Sequence, residues 1–363
     1  MSAAEPSLTR HLRVLAFDVP LFMATQAHQQ VLVGTGAYAR RANVAAWRWS
    51  ARMMLVVLLV NGGWSIDGAF AGIVGASALE LIVARRYVRP GFRGGSAADM
   101  TTMWGYAFPL FAAAISLRLF DKLDLFVLKV LGGSATLVGL YGSAQNLTII
   151  PNLVALSVTT LLLSTLSRTL RAGDPDGARV LAGNALRGVL LLLPFAGVAA
   201  GASTALTTMI YGAEFAGAGP LLSVLIFASL MTALVSVASA VLTAAGRPGW
   251  VMIAALPVAP LALASHLLVI PRFGARGATV VTLVVAAVGA GLALAAVYRA
   301  WRVYVPWATV ARVAATTTLT TMVGARWQTT GARAITELAA MSVVAIVCLV
   351  VSGEPVLPRR AVG

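Results

Sequence analysis

Five charged residues fall within one stretch of a single apolar segment: Arg118, Asp121, Lys122, Asp124 and Lys129. In a helix of about 3.6 residues per turn, Lys122 and Lys129 lie within about 40° of Arg118, with both carboxylates to one side. Each charge at the centre of a membrane helix costs on the order of 2.5–3.5 kcal/mol, so these side chains must face protein or water. Such a stripe could bind a pyrophosphate through charge-assisted hydrogen bonds. Ordinary salt bridges at a solvated helix end are the alternative, which Lys129 fits best.

Uncharged polar side chains in the next apolar segment form a second group of candidates. Gln145 and Asn152 are seven residues apart and share one helix face, with Asn146 beside the first and Pro151 beside the second. Amides both donate and accept hydrogen bonds, which suits the hydroxyls of a sugar. They suit packing between membrane helices equally well.

A third group lies in the first apolar segment, where Asp18, Gln26 and Gln29 follow one polar stripe with Thr25. This stripe could form the opposite wall of a cavity and bind sugar hydroxyls or a coupling proton. The alternative is that these side chains hold neighbouring helices together by hydrogen bonds.

Residue types for other chemistries are scarce. The chain has one cysteine, Cys348, and three scattered histidines, so we expect neither an intrachain disulfide nor a metal site. No Gly-rich phosphate loop ending in Lys-Ser/Thr is present, which argues against an ATPase. The connections between apolar segments are too short to fold as a catalytic domain. We therefore expect no enzyme activity and no cofactor.

The composition indicates an all-α polytopic membrane protein. Hydrophobic residues make up 59% of the 363 residues and charged residues 11%, and mean hydropathy is +0.88. Soluble proteins have about 45–50% apolar and about 25% charged residues. The net charge is +15. Because the basic residues lie between apolar runs, contacts with anionic lipid head groups in cytoplasmic loops explain this charge better than binding of nucleic acid.

A spanning helix needs roughly 20 apolar residues, and the chain accommodates about eleven. Their predicted positions are 12–34, 42–61, 67–84, 102–131, 134–167, 184–210, 219–245, 250–270, 276–298, 304–324 and 335–352. We expect Pro151 to kink the fifth of these helices.

The basic residues predict the orientation. Most of the 27 Lys and Arg residues lie on one set of alternate connections, those with Arg40, Arg85, Arg168, Arg247 and Arg299. By the positive-inside rule these connections are cytoplasmic. We therefore expect a multi-pass plasma (inner) membrane protein with a cytoplasmic C-terminus and an external N-terminus.

Two stretches of the chain resemble each other. Gly36 and Gly246 each end a helix, are followed by basic residues and stand 210 residues apart. Asp67-Gly68-Ala69 and Arg276-Gly277-Ala278 each open a helix at nearly the same offset. This indicates that predicted helices one to three are repeated in parallel as helices seven to nine. At the same offset, helices four to six have no counterpart in the chain. We therefore expect a first lobe without its first three helices. Parallel repeats are a known transporter plan, with the substrate between the halves.

Several motifs in order resemble a known family. Arg118–Lys129 followed by Val138-Gly-Leu-Tyr-Gly-Ser-Ala144 resembles the seventh-to-eighth helix region of polysaccharide-biosynthesis flippases. Tyr211-Gly-Ala-Glu-Phe-Ala216, Ala245-Gly-Arg-Pro248 and Ile270-Pro-Arg-Phe-Gly-Ala-Arg-Gly-Ala278 fit as well. The chain is thereby identified as resembling the multidrug/oligosaccharidyl-lipid/polysaccharide flippase superfamily, in an N-terminally truncated form.

The resemblance implies a two-lobe transporter. Residues 1–100 would be a remnant of the N-terminal lobe with a cytoplasmic linker, 101–300 the C-terminal lobe, and 301–363 two additional helices and a tail. The expected substrate is a polyprenyl-linked oligosaccharide, moved across the membrane for cell-surface polysaccharide synthesis. Membrane lipids and other polysaccharide-assembly proteins are the expected partners.

Three alternatives stay open at this point. An ion-coupled small-molecule exporter of the same superfamily would need a compact acidic site, and the sequence has no clear acidic cluster. A glycan polymerase would need a long outer loop with paired catalytic residues, which is absent. An inactive remnant is the third.

Overall fold

The structure, a computed structural model, describes residues 13–89, 100–131, 133–326 and 332–351, and within these ranges it is helical without strands. It forms two compact units, Met1–Ala98 and Asp99–Gly363. The predicted helix start at residue 12, the linker over 90–99 and the tail after 351 lie outside the described residues.

In the part of the first unit that the structure describes, the long helices are α1 (Asp18–Gly34), α2 (Tyr38–Leu59) and α3 (Ser65–Tyr87). A π-helical segment, Val60–Trp64, joins α2 to α3, and the chain reverses at Gly63, where φ is +90°. Helices α2 and α3 approach closely: a Cβ added at Gly72 of α3 would lie 2.8 Å from the backbone nitrogen of Val56 on α2. Small residues at such positions let membrane helices pack backbone to backbone.

The second unit begins with the charge-rich helix α4 (Met100–Val130), followed by α5 (Ala135–Leu147) and α6 (Ile149–Arg171). Next come α7 (Pro175–Leu190), α8 (Leu193–Gly201), α9 (Ser203–Tyr211) and a 3₁₀ turn, Ala213–Ala218. The remaining helices are α10 (Gly219–Ala244), α11 (Pro248–Ala255), α12 (Val258–Trp301), α13 (Trp307–Arg326) and α14 (Ala332–Val351).

Helix α10 is the centre of the second unit. It is buried along most of its length and packs against α5, α6, α7, α8, α11 and α12. Leu222, Leu225 and Leu230 pack in the core near α5 and α8, and Leu234 and Val241 pack in the core near α6 and α7. Within the second unit, every helix that carries the polar residues described below packs against α10 or against a neighbour of α10.

Within the described residues, five helical segments are long and apolar enough to cross a membrane: Tyr38–Tyr87, Ile149–Arg171, Pro175–Gly201, Ala213–Ala244 and Pro248–Trp301. The first and last are 50 and 54 residues long. Each reverses at a glycine with positive φ, Gly63 or Gly274, and so holds two of the predicted spans. The charge-rich α4 is long enough but is not among the five. The chain is an all-α polytopic membrane protein, as predicted.

Several predicted helix boundaries are wrong. The helix predicted over 134–167 is two helices, because the chain breaks at Thr148. Pro151 explains the break, since it lacks the N–H that would bond to Leu147 and its ring crowds that carbonyl. The predicted start at 184 is nine residues too late: the Asp174 side chain accepts a hydrogen bond from Gly177 N, with Pro175 in the first turn. These are standard signals of a helix start.

The span predicted over 184–210 is also broken, into α7, α8 and α9. Pro194 stands in the first turn of α8, where its missing N–H is tolerated. The span predicted over 250–270 is divided near Pro257. The next break, at Gly274, lies in the predicted gap between residues 270 and 276.

The two resembling stretches share one local backbone structure. In the first turn Gly36 N donates to Val33 O and Ala37 N donates to Leu32 O. In the second turn, 210 residues later, Gly246 N donates to Thr243 O and Arg247 N donates to Leu242 O. Both turns are Schellman motifs, in which a left-handed residue ends the helix. The order of helix, Schellman glycine, helix, positive-φ glycine and helix is therefore the same in both. Superposition as a parallel repeat stays a prediction.

We expect Gly36→Ala and Gly246→Ala to lower the thermal unfolding temperature in detergent. The φ angles are +75° and +70°, and an added Cβ meets nothing within 4 Å, so only backbone strain opposes the change. A left-handed alanine costs roughly 1–2 kcal/mol. Gly34→Ala is the control, since Gly34 is helical and equally uncrowded. Equal effects of Gly34→Ala and Gly36→Ala would contradict the assignment of the turn.

Candidate functional site

Asp124 is the most deeply buried charge of α4, with 1% of its surface exposed. Tyr141 Oη donates to its Oδ2 at 2.7 Å, and the Leu125 N–H donates to its Oδ1 at 2.7 Å. Gln145 Nε2 lies 3.4 Å from both carboxylate oxygens. Thr282 Oγ1 lies 3.4 Å from Oδ2 but donates to the Ala278 carbonyl at 3.0 Å, so its contact with the carboxylate is the weakest.

These contacts join three helices. Tyr141 and Gln145 lie on α5, and Thr282 lies on the second half of α12. Gln145 Nε2 also donates to the Asp121 carbonyl at 3.1 Å, which fixes α5 against α4 a second time. Among the residues that the structure describes, no Lys or Arg forms a salt bridge with Asp124. The carboxylate is therefore stabilised by neutral donors.

The cations of α4 are arranged differently. Arg118 Nη1 lies 3.9 Å from Asp121 Oδ2, and the Arg118 side chain is 87% exposed. Lys122 and Lys129 are exposed as well. A pair so long and so accessible contributes little to stability. Arg118 and Lys122 are thus available to bind an anion without breaking a strong bond.

A cavity of about 320 Å³ lies beside this part of α4. It brings together every site residue predicted in the second unit, namely Arg118, Asp121, Lys122, Asp124, Gln145, Asn146 and Asn152. Its remaining polar lining comes from residues that the sequence analysis did not single out, namely Thr148, Ser229, Thr232 and Thr282. We call this space the polar cavity.

The polar cavity combines two kinds of binding group. Arg118 and Lys122 supply positive charge, and a guanidinium can hold a phosphate by two parallel hydrogen bonds. The amides and hydroxyls from α5, α6 and α10 can donate to and accept from sugar hydroxyls. In the described residues no group of three or more His, Cys, Asp or Glu could hold a metal ion.

The predicted stripe of α1 lies in the first unit. Gln29 Nε2 donates to Glu80 Oε1 of α3 at 2.9 Å, and Glu80 Oε2 lies 3.4 Å from Arg48 Nη1 of α2. Gln29 therefore links helices, as the alternative interpretation holds. Gln26 is half-buried. Asp18 Oδ1 is buried without a hydrogen-bond partner in the described structure, and the role predicted for Asp18 and Gln26 stays a prediction.

Two partners of Asp124 were missed in the sequence. Tyr141 is a polar side chain in the apolar run of α5, one turn before Gln145, so helical spacing from the predicted amide could have indicated it. Thr282 lies 158 residues from Asp124 in the chain, and no local pattern connects the two.

A family model described as polysaccharide biosynthesis protein matches residues 13–169. Over this part, which is just under half of the chain, the sequence is similar to that of the polysaccharide biosynthesis proteins. The match includes all ten predicted site residues, from Asp18 to Asn152. The chain has no match among curated protein sequences.

The fold is similar to that of a solved transporter. The lipid II flippase MurJ, in an inward closed conformation, matches with a TM-score of 0.71 at 14% sequence identity. The match covers 95% of this chain and 73% of the flippase chain. The predicted fold class and family resemblance are therefore confirmed.

We predict that Tyr141→Phe lowers the thermal unfolding temperature clearly more than Tyr106→Phe. Tyr141 donates to a buried carboxylate, and a hydrogen bond to a charged group is worth about 1.5–3 kcal/mol. Tyr106 is the matched control on α4, because its hydroxyl donates at 2.9 Å to the neutral carbonyl of Thr243 and is accessible. Tyr141→Phe should have a smaller effect in an Asp124→Asn background. Equal effects in both backgrounds would contradict this contact.

Proposed function

We propose that this protein is a flippase that moves a polyprenyl-pyrophosphate-linked oligosaccharide across the plasma membrane for cell-surface polysaccharide synthesis. One observation carries the proposal. The polar cavity places two exposed cations, Arg118 and Lys122, beside the amides of Gln145, Asn146 and Asn152. An anionic head group attached to a sugar needs this combination, and an apolar drug does not.

Arg118 would hold the pyrophosphate. In the structure its guanidinium has only the long contact to Asp121, which a phosphate oxygen can replace at small cost. Lys122 would add a second positive charge as a flexible point donor. Asp121 would then keep the anion from binding too tightly, because its carboxylate competes for Arg118.

The amides would bind the first sugar. Asn152 Nδ2 donates to the Thr148 carbonyl at 3.2 Å and Gln145 Nε2 to the Asp121 carbonyl. These bonds fix the two side chains in place and leave the amide oxygens as acceptors for hydroxyl groups. Ser229 and Thr232 of α10 face the same space and add donors.

Asp124 would be the coupling residue. Its carboxylate lies at the inner end of the site and contacts α4, α5 and α12 at once. Gain of a proton would turn one carboxylate oxygen from an acceptor into a donor and so rearrange the bonds between these helices. A group that binds two helices differently in two protonation states can bias a movement between them.

The orientation belongs to the same proposal. The substrate would enter the polar cavity from the cytoplasmic leaflet and leave towards the outer one. The basic connections and the C-terminus would face the cytoplasm, as the positive-inside rule predicts.

Transport in proteoliposomes tests the role of Arg118. We expect Arg118→Lys to retain partial transport, because it keeps the charge and loses the bidentate geometry. Arg118→Gln should reduce transport roughly tenfold or more, as expected for loss of a charge-assisted bond. Lys129→Gln is the control, since Lys129 is exposed on the same helix and does not line the polar cavity. Full transport by Arg118→Gln at normal expression would contradict the proposal.

A separate measurement tests Asp124. We expect Asp124→Asn to bind the lipid-linked substrate but to lose net transport, because the amide keeps the shape and cannot titrate. Thermal unfolding shows whether the variant is folded. Transport at the wild-type rate by a folded Asp124→Asn variant would mean that the carboxylate only holds α4, α5 and α12 together.

A further inference from the structure

A second cavity of about 270 Å³ lies in the same unit as the polar cavity, and its lining is apolar. Helices α5, α6, α8, α9 and α10 all contribute to it. We call it the apolar pocket and define it by Leu147, Ile150, Phe195, Leu206, Leu222 and Ile226.

The two cavities lie on either side of the break between α5 and α6. Along this segment the polar cavity is lined by Gln145, Asn146, Thr148, Ile149 and Asn152, whereas Leu147, Ile150 and Pro151 line the apolar pocket. One short segment therefore separates the spaces, and its thickness is at most that of a helix, about 10–12 Å.

Helix α10 repeats this division. Leu225, Ser229 and Thr232 face the polar cavity, and Leu222 and Ile226 face the apolar pocket. In a helix of about 3.6 residues per turn these two sets are adjacent stripes. The linings of the two cavities thus lie side by side on two different elements, and every hydroxyl and amide among them faces the polar cavity.

The rim of the apolar pocket is open to the outside of the unit. Ile150 is 66% exposed and Ile210 is 52% exposed, and both line the pocket. In a bilayer such side chains face lipid tails. A hydrocarbon chain can therefore enter the pocket from the membrane without passing through the polar cavity.

We propose that the apolar pocket binds the isoprene units next to the pyrophosphate of the transported lipid. This inference rests on the proposed function, because it places the pyrophosphate at Arg118 and Lys122. In a polyprenyl pyrophosphate the hydrocarbon begins one bond from the phosphate oxygen. In a phospholipid a glycerol and two ester groups separate the phosphate from two chains. The direct adjacency of the two cavities matches the first molecule.

The pocket positions the substrate rather than attracting it. Lipid tails are as apolar as leucine, so a tail gains no hydrophobic free energy by leaving the bilayer for this pocket. It gains contacts of defined shape, which fix the direction in which the head group enters the polar cavity. Filling the pocket should therefore misplace the lipid and leave the anion site intact.

The experiment uses Ala199→Leu, which narrows the pocket from α8, and Leu206→Phe, which narrows it from α9. Ala264→Leu is the control, on an exposed position of α12 outside both cavities. The probe is a short polyprenyl pyrophosphate with a photoreactive diazirine on its second isoprene unit, in nanodiscs. Labelled peptides are identified by mass spectrometry.

We expect the probe to label α8 and α9 of the wild-type chain and of Ala264→Leu. Labelling should fall about tenfold in both narrowed variants, in line with the usual cost of overpacking a filled site. Binding of a tail-free sugar pyrophosphate should be unchanged in the narrowed variants and weakened by Arg118→Gln. Two variants on different helices guard against one that fails to fold.

Three results would overturn the inference. The first is unchanged labelling in both folded narrowed variants. The second is equal labelling by a phospholipid with the diazirine on its acyl chain, which would make the pocket an ordinary lipid contact. The third is labelling confined to other helices. If Arg118→Gln did not weaken binding of the tail-free sugar pyrophosphate, the proposed function would be contradicted instead. The labelling of α8 and α9 is a separate readout of the apolar pocket.

Discussion

A carboxylate inside a membrane protein must find its hydrogen-bond partners within the protein, and Asp124 meets this constraint through neutral donors. Tyr141 Oη and the Leu125 N–H each donate at 2.7 Å. Because an unpartnered buried charge is so costly, α5 must hold Tyr141 and Gln145 within reach of this carboxylate. Asp124 thus adds a polar constraint on α4 and α5 to the apolar packing around α10.

The placement of Asp124 determines what the other charges can do. With the carboxylate satisfied by Tyr141 and Gln145, Arg118 and Lys122 are not needed as its counter-ions. Arg118 has only the long contact to Asp121, and both cations face the polar cavity. A site in which the acid is paired with hydroxyl and amide groups, and the base is left accessible, is suited to bind an anion and release it again.

The break at Thr148 gives the site its second property. Since Pro151 prevents α5 and α6 from forming one straight helix, the segment between them turns its polar side chains to one space and Leu147, Ile150 and Pro151 to another. Helix α10 makes the same division on its own surface. An amphiphile with a charged head and a hydrocarbon tail can thus lie across a boundary built from two elements.

Much of this arrangement could be predicted from the sequence because membrane helices leave strong local signals. The apolar runs predicted most of the helices. The charges of α4 and the amides near Pro151 predicted seven residues that line one cavity. The N-terminal end of α7 was missed although Asp174-Pro175 is a local signal. Thr282 could not be found, because its contact with Asp124 depends on tertiary packing across 158 residues. Gln29 of α1 was predicted as a substrate-binding residue, but its amide donates to Glu80 on a neighbouring helix. That contact also depends on tertiary packing and leaves no local signal in the sequence.

The most direct test of the account is to ask whether the head group of a lipid-linked oligosaccharide occupies the polar cavity. A photoreactive amino acid at Asn146, which lines the cavity, should form a covalent adduct with the glycan-bearing lipid in proteoliposomes. The same amino acid at Leu161, an exposed apolar position on α6, should give no glycan adduct. The account predicts an adduct at 146 that excess sugar pyrophosphate suppresses. Equal glycan labelling at 146 and 161, or labelling at 146 that the competitor does not reduce, would contradict it.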